Sequence, residues 1–270
     1  MASSSSSTPL PNGPLKIAII GFGPFAQFLA KTFVKQGHIL TATSRSDYSL
    51  LCSQLGITFF RDMDDLMEAG GQVILLCTSI LSLGDVIRSI PMGRLRMPLL
   101  FVDVLSVKEY PRDLLLRVLP EESDVLCTHP MFGPESGKEG WNGLPLVYEK
   151  VRIRDHALCD NYLGIFQAEG CRMVEMSCQE HDEMAAKSQF LAHTFGRILA
   201  EMGIKPTPMD TKGFQALLQL RDNTTKDSFD LYCGLFVRNK FARQELDKLD
   251  LAFKAVREKL LERTKDVELH

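Results

Sequence analysis

Three groups of residues have types and spacings suited to chemistry. The first is Gly21-x-Gly23-x-x-Ala26, directly after the apolar run Ile17–Ile20. Gly21 permits a tight turn, Gly23 lets a pyrophosphate approach the backbone, and Ala26 allows close helix–sheet packing. Phe22, Pro24 and Phe25 complete the loop and are counted with it as cofactor contacts. A helix starting here offers free N–H donors and a positive dipole end to phosphate. The second group is Ser44-Arg45-Ser46, at the end of the strand-like run Ile39–Thr43. An NAD site usually carries Asp or Glu at this place. A guanidinium flanked by hydroxyls suits the 2′-phosphate of NADP instead. Asp47 is assigned to the start of the next helix. The plain alternative for Arg45 is a solvated surface residue.

The third group is Thr128-His129-Pro130-Met131-Phe132-Gly133-Pro134, after the short apolar run Asp124–Cys127. Pro130 and Pro134 bracket a stiff turn. One imidazole held at a strand end suits a general acid or base, because it titrates near neutral pH. A solvated or structural histidine is the alternative. Cys77, Thr78 and Ser79 end another buried run, Val73–Cys77, and small hydroxyls there can line the cofactor. Ser106 follows the run Pro98–Val104. In an open α/β sheet, ligands bind outside the carboxyl ends of the strands. Strand ends alone therefore bring the glycine loop, Thr78, Ser106 and His129 to one edge.

The elements that must position these groups alternate. Helices are expected over 25–36, 48–55, 62–68, 80–90 and 108–118, between strands that include 57–60. The segment 134–143 reads as a loop, a candidate lid. Strands at 146–151 and 172–176 flank a helix at 155–167. The nucleotide domain then spans 15–176, a Rossmann-type α/β fold, and 177–270 is all helical. Gln189 and His193 are four apart, so they share a helix face. Asp210-Thr211-Lys212-Gly213 caps a helix ending at Leu220. Arg221-Asp222-Asn223 reads as a polar turn, and Asp227 as an N-cap. The amphipathic run 242–263 reads as a long helix whose apolar face a second copy of the chain would bury, giving a homodimer.

Composition excludes several classes. The 270 residues carry a formal charge of -3 and a pI near 6.1, against a nucleic-acid or anionic membrane partner. No run approaches ~18 apolar residues, so none spans a membrane. The seven cysteines show no CxxC spacing. They read as reduced thiols, neither a zinc site nor a disulfide framework. No metal is expected. Residues 1–14, rich in Ser and Pro, read as a disordered tail. They lack both a secretory apolar core and the arginines of a transit peptide, so the chain as written reads as cytosolic. A plastid is the alternative if a transit peptide has been removed.

With Gly21-Phe22-Gly23, Thr43-Ser44-Arg45-Ser46, Asp103-Val104-Leu105-Ser106-Val107-Lys108, the His129 block and Lys187-Ser188-Gln189-Phe190-x-x-His193-Thr194, the chain resembles the TyrA family of arogenate and prephenate dehydrogenases, above all its plant branch. The likeness runs from Leu15 to about Lys265. It implies oxidative decarboxylation of a cyclohexadienol, with hydride passed to NADP. His129 would take or polarise the ring hydroxyl proton, and Ser106 would orient that hydroxyl or His129. Gln189, His193, Thr211 and Lys212 would bind substrate. An acid before the Asn-Thr pair looks like the mark of arogenate preference. Here it is Asp222, with a backbone-bonding turn residue as the alternative. Prephenate is the second substrate considered. Another NADP-dependent hydroxyacid or imine reductase and a non-catalytic NADPH sensor are the remaining readings.

Overall fold

The computed structural model describes residues 13–95 and 98–268. The expected tail lies, for residues 1–12, outside the described residues. The chain divides into two compact units, one ending at His181 and one beginning at Asp182. The sequence boundary was expected five residues earlier, at Met176.

The first unit is an eight-stranded sheet in the order β3-β2-β1-β4-β5-β6-β7-β8. Its strands are β1 (Lys16–Ile20), β2 (Ile39–Thr43), β3 (Thr58–Phe60), β4 (Val73–Leu76), β5 (Leu100–Asp103), β6 (Asp124–Pro130), β7 (Pro145–Arg152) and β8 (Arg172–Glu175). Strands β1 to β6 run parallel; β7 is antiparallel to β6, and β8 parallel to β7. Apart from Lys16, the residues of β1, β4 and β5 are buried. Such runs suit strands covered on both faces. Between them lie α1 (Pro24–Lys35), α2 (Ser49–Gln54), α3 (Met63–Ala69), α4 (Leu83–Ser89), α5 (Glu109–Val118) and α6 (His156–Ala168). On α1, Ala26, Leu29, Ala30 and Phe33 form one buried stripe, the spacing of a core-facing helix. Pro24 occupies its first turn, where a missing N–H costs nothing.

Two elements of this unit differ from expectation. Strand β6 does not stop at Cys127. It runs through Pro130 because β7 pairs with it as far as Thr128↔Tyr148, His129↔Val147 and Pro130↔Leu146. His129 is thus a buried strand residue, not a loop residue. The supposed lid is also anchored. Trp141 is buried, stacked on Phe166 at 5.4 Å and packed on Phe132 at 5.3 Å. At Gly137, a Cβ would stand 2.6 Å from the ring of Phe28. All seven cysteines are free.

The helical unit begins inside a run composed of α7 (Cys178–Ala185), a π turn (Ala186–Phe190) and α8 (Leu191–Glu201). It continues with α9 (Lys212–Thr225), α10 (Phe229–Val237) and α11 (Ala242–Glu268). Here Arg221-Asp222-Asn223 lies within α9 and is no turn. Asp222 and Asn223 face water, while Arg221 is half-buried and donates to the Ile204 carbonyl. The next residue, Thr224, turns inward and satisfies its hydroxyl on the Leu220 carbonyl at 2.8 Å. At Gly196 a Cβ would collide with Thr224 Oγ1, so α8 and α9 cross closely there. Ser228, not Asp227, caps α10, accepting from Leu231 N at 3.1 Å. Among the described residues no helix is long and apolar enough to cross a membrane.

Candidate active site

Strand order reverses between β1 and β4, where a doubly wound sheet opens its crevice. A cleft of about 410 Å³ lies at this point. Its walls include Gly21, Phe22, Gly23, Ser44, Arg45, Ser46, Cys77, Thr78 and Ser79. Pro24, Phe25 and Ala26 do not line it; they form the first turn of α1, and Ala26 is buried against the sheet. Gly21 has φ +90°, and a Cβ there would stand 2.5 Å from the Cys77 carbonyl oxygen. Only glycine fits. A Cβ on Gly23 would meet nothing within 4 Å, so the turn is open to an approaching group. Burial pushes the Cys77 thiol up to about 12, so it is no nucleophile.

The cleft also holds residues that the sequence reading passed over. Arg61, at the end of β3, lines it together with Tyr48, Met63 and Ser82. Arg61 follows the end of β3 much as Arg45 follows the end of β2, so the same strand-end position marks both. Arg61 Nη2 donates to Asp47 Oδ2 at 2.6 Å. Asp47 Oδ1 accepts from Ser49 N at 2.9 Å. These bonds, from Ser49 first, hold the Asp47 carboxyl below its ordinary value. Arg45 is exposed and makes no ion pair among the described residues. Two guanidiniums and one carboxylate therefore leave this end of the cleft positive, which suits a phosphate.

His129 does not line the cleft. Its Nδ1 lies 2.8 Å from Nε2 of His181, and both rings are buried. Burial, then His181, then the cation of Lys108 push the His129 pKa well below 6.5. The imidazole is thus neutral at pH 7, the form that accepts a proton. Lys108, immediately before α5, is also fully buried. Its ammonium donates to Asp103 Oδ1 and, at 2.6 Å, to the Thr128 carbonyl. Thr128 Oγ1 donates to the Asp103 carbonyl at 2.6 Å. This ties β5 to β6 one residue before His129. Ser106 is half-buried and makes no hydrogen bond among the described residues. No hydrogen bond joins Ser106 to His129, whose Nδ1 meets His181 instead, so of the two expected roles the one towards His129 is not seen here and the one towards the ring hydroxyl stands as an expectation. His181 carried no sequence signal, because its partner lies 52 residues away.

In the helical unit, His193 is buried, with Nε2 3.7 Å from Asp227 Oδ2 and Nδ1 without a partner. Burial lowers its pKa and Asp227 acts the other way. Gln189 Oε1 is likewise buried and unpartnered. Thr211 caps α9 by accepting from Phe214 N at 3.2 Å. Lys212 is exposed. Asp222 is exposed too, and accepts from Arg221 Nε at 2.8 Å. A hollow of about 500 Å³ in this unit holds none of them. Its floor is the Arg197 guanidinium, which lies over Phe229 and Tyr232 and donates to the carbonyls of Asp227 and Ser228. No group of three or more metal-ligating side chains occurs among the described residues.

Residues 26–143 match the family described as "Prephenate dehydrogenase, nucleotide-binding domain", and residues 198–270 match "TYRAAT1-like, C-terminal domain". "Arogenate dehydrogenase 1, chloroplastic" of Arabidopsis thaliana is 55% identical over 253 residues, covering 92% of this chain and 40% of that protein. "Arogenate dehydrogenase 2, chloroplastic" of the same plant is 54% identical over 253 residues, covering 92% of this chain and 71% of that protein. The chain thus spans well under half the length of the first relative. A crystal structure of prephenate dehydrogenase from A. aeolicus has the same fold, with a TM-score of 0.74 and 16% identity, covering 97% of this chain and 94% of that one. At 54% identity to a relative of which it spans 71%, this chain belongs to the TyrA family of arogenate and prephenate dehydrogenases, in its plant branch.

Proposed function

We propose that this protein is an NADP-dependent arogenate dehydrogenase. The observation that carries the chemistry is the His129 imidazole, buried and neutral, in the same unit as the nucleotide cleft. The two arogenate dehydrogenase relatives support the substrate. Gly21 and Gly23 would hold the pyrophosphate at the start of α1, and Ser44, Arg45, Ser46 and Arg61 the 2′-phosphate. The nicotinamide, when bound, supplies the hydride acceptor. His129 takes the proton of the ring hydroxyl as the hydride leaves the same carbon. The ring carboxylate departs as CO2, its bonding pair closes the aromatic ring, and the phenolate recovers a proton from His129.

Substrate contacts are assigned to Gln189 and His193, whose unpartnered buried atoms Gln189 Oε1 and His193 Nδ1 suit a polar ligand, and to Thr211, Lys212 and Asp222. Ser106, with its unbonded hydroxyl, is assigned to the ring hydroxyl. The deciding experiment follows NADPH formation with arogenate and prephenate side by side. Arogenate is expected to give the higher kcat/KM; a clear preference for prephenate overturns the substrate assignment. A repeat with Asp222→Asn tests the charge. Asp222 is exposed and already paired, so its attraction for the arogenate ammonium is worth about 1 kcal/mol or less, roughly fivefold. The ratio should shift towards prephenate by that amount. An unmoved ratio would make Asp222 a helix-surface residue only.

The cofactor has its own test. Arg45→Ala removes a charge-assisted contact worth about 1.5–3 kcal/mol. NADP should bind roughly 10- to 150-fold more weakly, while NAD binding stays nearly constant. Equal affinity of the unmodified protein for both cofactors refutes the NADP reading.

The helical unit supports a homodimer. Leu249, Phe253, Val256 and Leu260 recur on α11 at four- and three-residue steps, and the last three are exposed. A second copy would bury that stripe. Because both relatives are named chloroplastic, we place the protein in the plastid, in preference to the cytosol that residues 1–14 suggested.

A further inference from the structure

We infer that His181 is a positioning residue that sets the tautomer of His129 and shares its proton. This rests on the proposed role of His129 as proton acceptor. The two rings meet at 2.8 Å, Nδ1 to Nε2, so one nitrogen must donate and the other accept. Two arrangements are possible with both rings neutral. In one, His181 Nε2 carries the hydrogen, His129 Nδ1 accepts it, and the remaining His129 nitrogen, Nε2, is protonated and useless as a base. In the other, His129 Nδ1–H donates to the lone pair of His181 Nε2, and His129 Nε2 offers a lone pair to substrate. The chemistry requires the second, so the tautomer of His181 decides whether His129 can act.

His129 is 3% exposed and His181 3% exposed. A proton taken from substrate onto His129 alone would leave an imidazolium in a site that already holds the Lys108 cation. Across the 2.8 Å bond the Nδ1 proton can move to His181 Nε2 as Nε2 of His129 receives the substrate proton. The positive charge then resides partly on His181, one ring further from the reacting carbon. The reverse shift returns the proton to the phenolate, and the pair ends as it began. The ring contact, with centroids 5.0 Å apart at 62°, holds the two imidazoles edge to face for this exchange.

The test joins NMR and kinetics. Nitrogen-15 NMR of the unmodified protein with labelled histidine is expected to show His129 protonated at Nδ1 above pH 7. Protonation at Nε2 overturns the inference whatever the activity. His181→Gln keeps an amide oxygen that can accept from Nδ1–H, and is expected to preserve the tautomer and stay within about tenfold in kcat. His181→Leu removes the acceptor. It is expected to lose the single tautomer and to lower kcat by about 10²-fold or more with cofactor affinity unchanged, as losing the orienting partner of a catalytic imidazole does elsewhere. A leucine variant within twofold of the original kcat, or a folded glutamine variant as impaired as leucine, also overturns it. If the unmodified protein turns over neither dienol, the functional reading fails, and the tautomer measurement still decides the pairing.

Discussion

Replacing His129 with alanine should lower kcat by about 10²–10⁴-fold, the usual worth of a positioned proton acceptor, while leaving NADP affinity nearly unchanged. The second half follows from geometry: His129 does not line the cleft that would hold the nucleotide. His129→Asn is the control for packing. It keeps a polar group within reach of His181 and should lose as much activity. Turnover near the original rate in either variant would remove His129 from the mechanism. The pH profile gives a further check. A base works only when unprotonated, and the pKa of His129 lies below 6.5 through burial, His181 and Lys108. Rate should therefore hold as pH falls through 6.5 and decline only at more acid values. A decline centred at 6.5 or above would point to another group.

The same shift has a stability consequence of definite sign. Above pH 6.5 His129 is neutral folded and unfolded, and contributes no pH dependence. Below 6.5 the unfolded chain binds a proton that the folded chain refuses. Stability then falls with pH, at up to about 1.4 kcal/mol per pH unit per histidine until the folded pKa is reached. His38 and His193, both lowered by burial, act in the same direction.

The nucleotide half of the fold was legible because its signals are local. A buried parallel strand is one apolar run, and a glycine turn follows it directly, so residues 17–26 announce both. What sequence could not show depends on pairing across distance. Strand β6 reaches Pro130 because β7 lies beside it, and nothing within 124–134 records that neighbour. The His129–His181 contact spans 52 residues and the Lys108 contact to Thr128 spans 20. Polar runs misled in the opposite way. Arg221-Asp222-Asn223 looked like a turn, but a helix facing water tolerates the same residues, and Thr224 can satisfy its hydroxyl within α9. Lys108 was read as the start of a helix and as the last residue of the Asp103–Lys108 block, not as a buried cation, because lysine is rarely buried.

That lysine, at the start of α5, should be a sensitive site for stability. Lys108 and Asp103 form an ion pair whose side chains are 2% and 0% exposed. Burial raises the Asp103 pKa even though Lys108 opposes it, so desolvation already outweighs the attraction of the pair. Lys108→Met would leave the Asp103 carboxylate buried without its cation and the Thr128 carbonyl without its donor. Breaking a buried pair on one side costs about 3–5 kcal/mol, and urea unfolding at pH 7 should show a loss of that size. The loss should shrink as pH falls, because Asp103 can then take up a proton and stop being a buried charge. Lys108→Met combined with Asp103→Asn should recover much of it, since the amide is neutral and its oxygen can still accept from Leu105 N, now 3.1 Å from Asp103 Oδ1. The single variant should also be legible at the active site. Lys108 is one of the charges that keep His129 neutral, so without it the His129 pKa rises and the acid limb of the rate profile moves to higher pH. A variant as stable as the original would show that the pair is dispensable to the fold. An unmoved acid limb in a folded variant would show that Lys108 acts on β6 by its hydrogen bonds alone and not through its charge on His129.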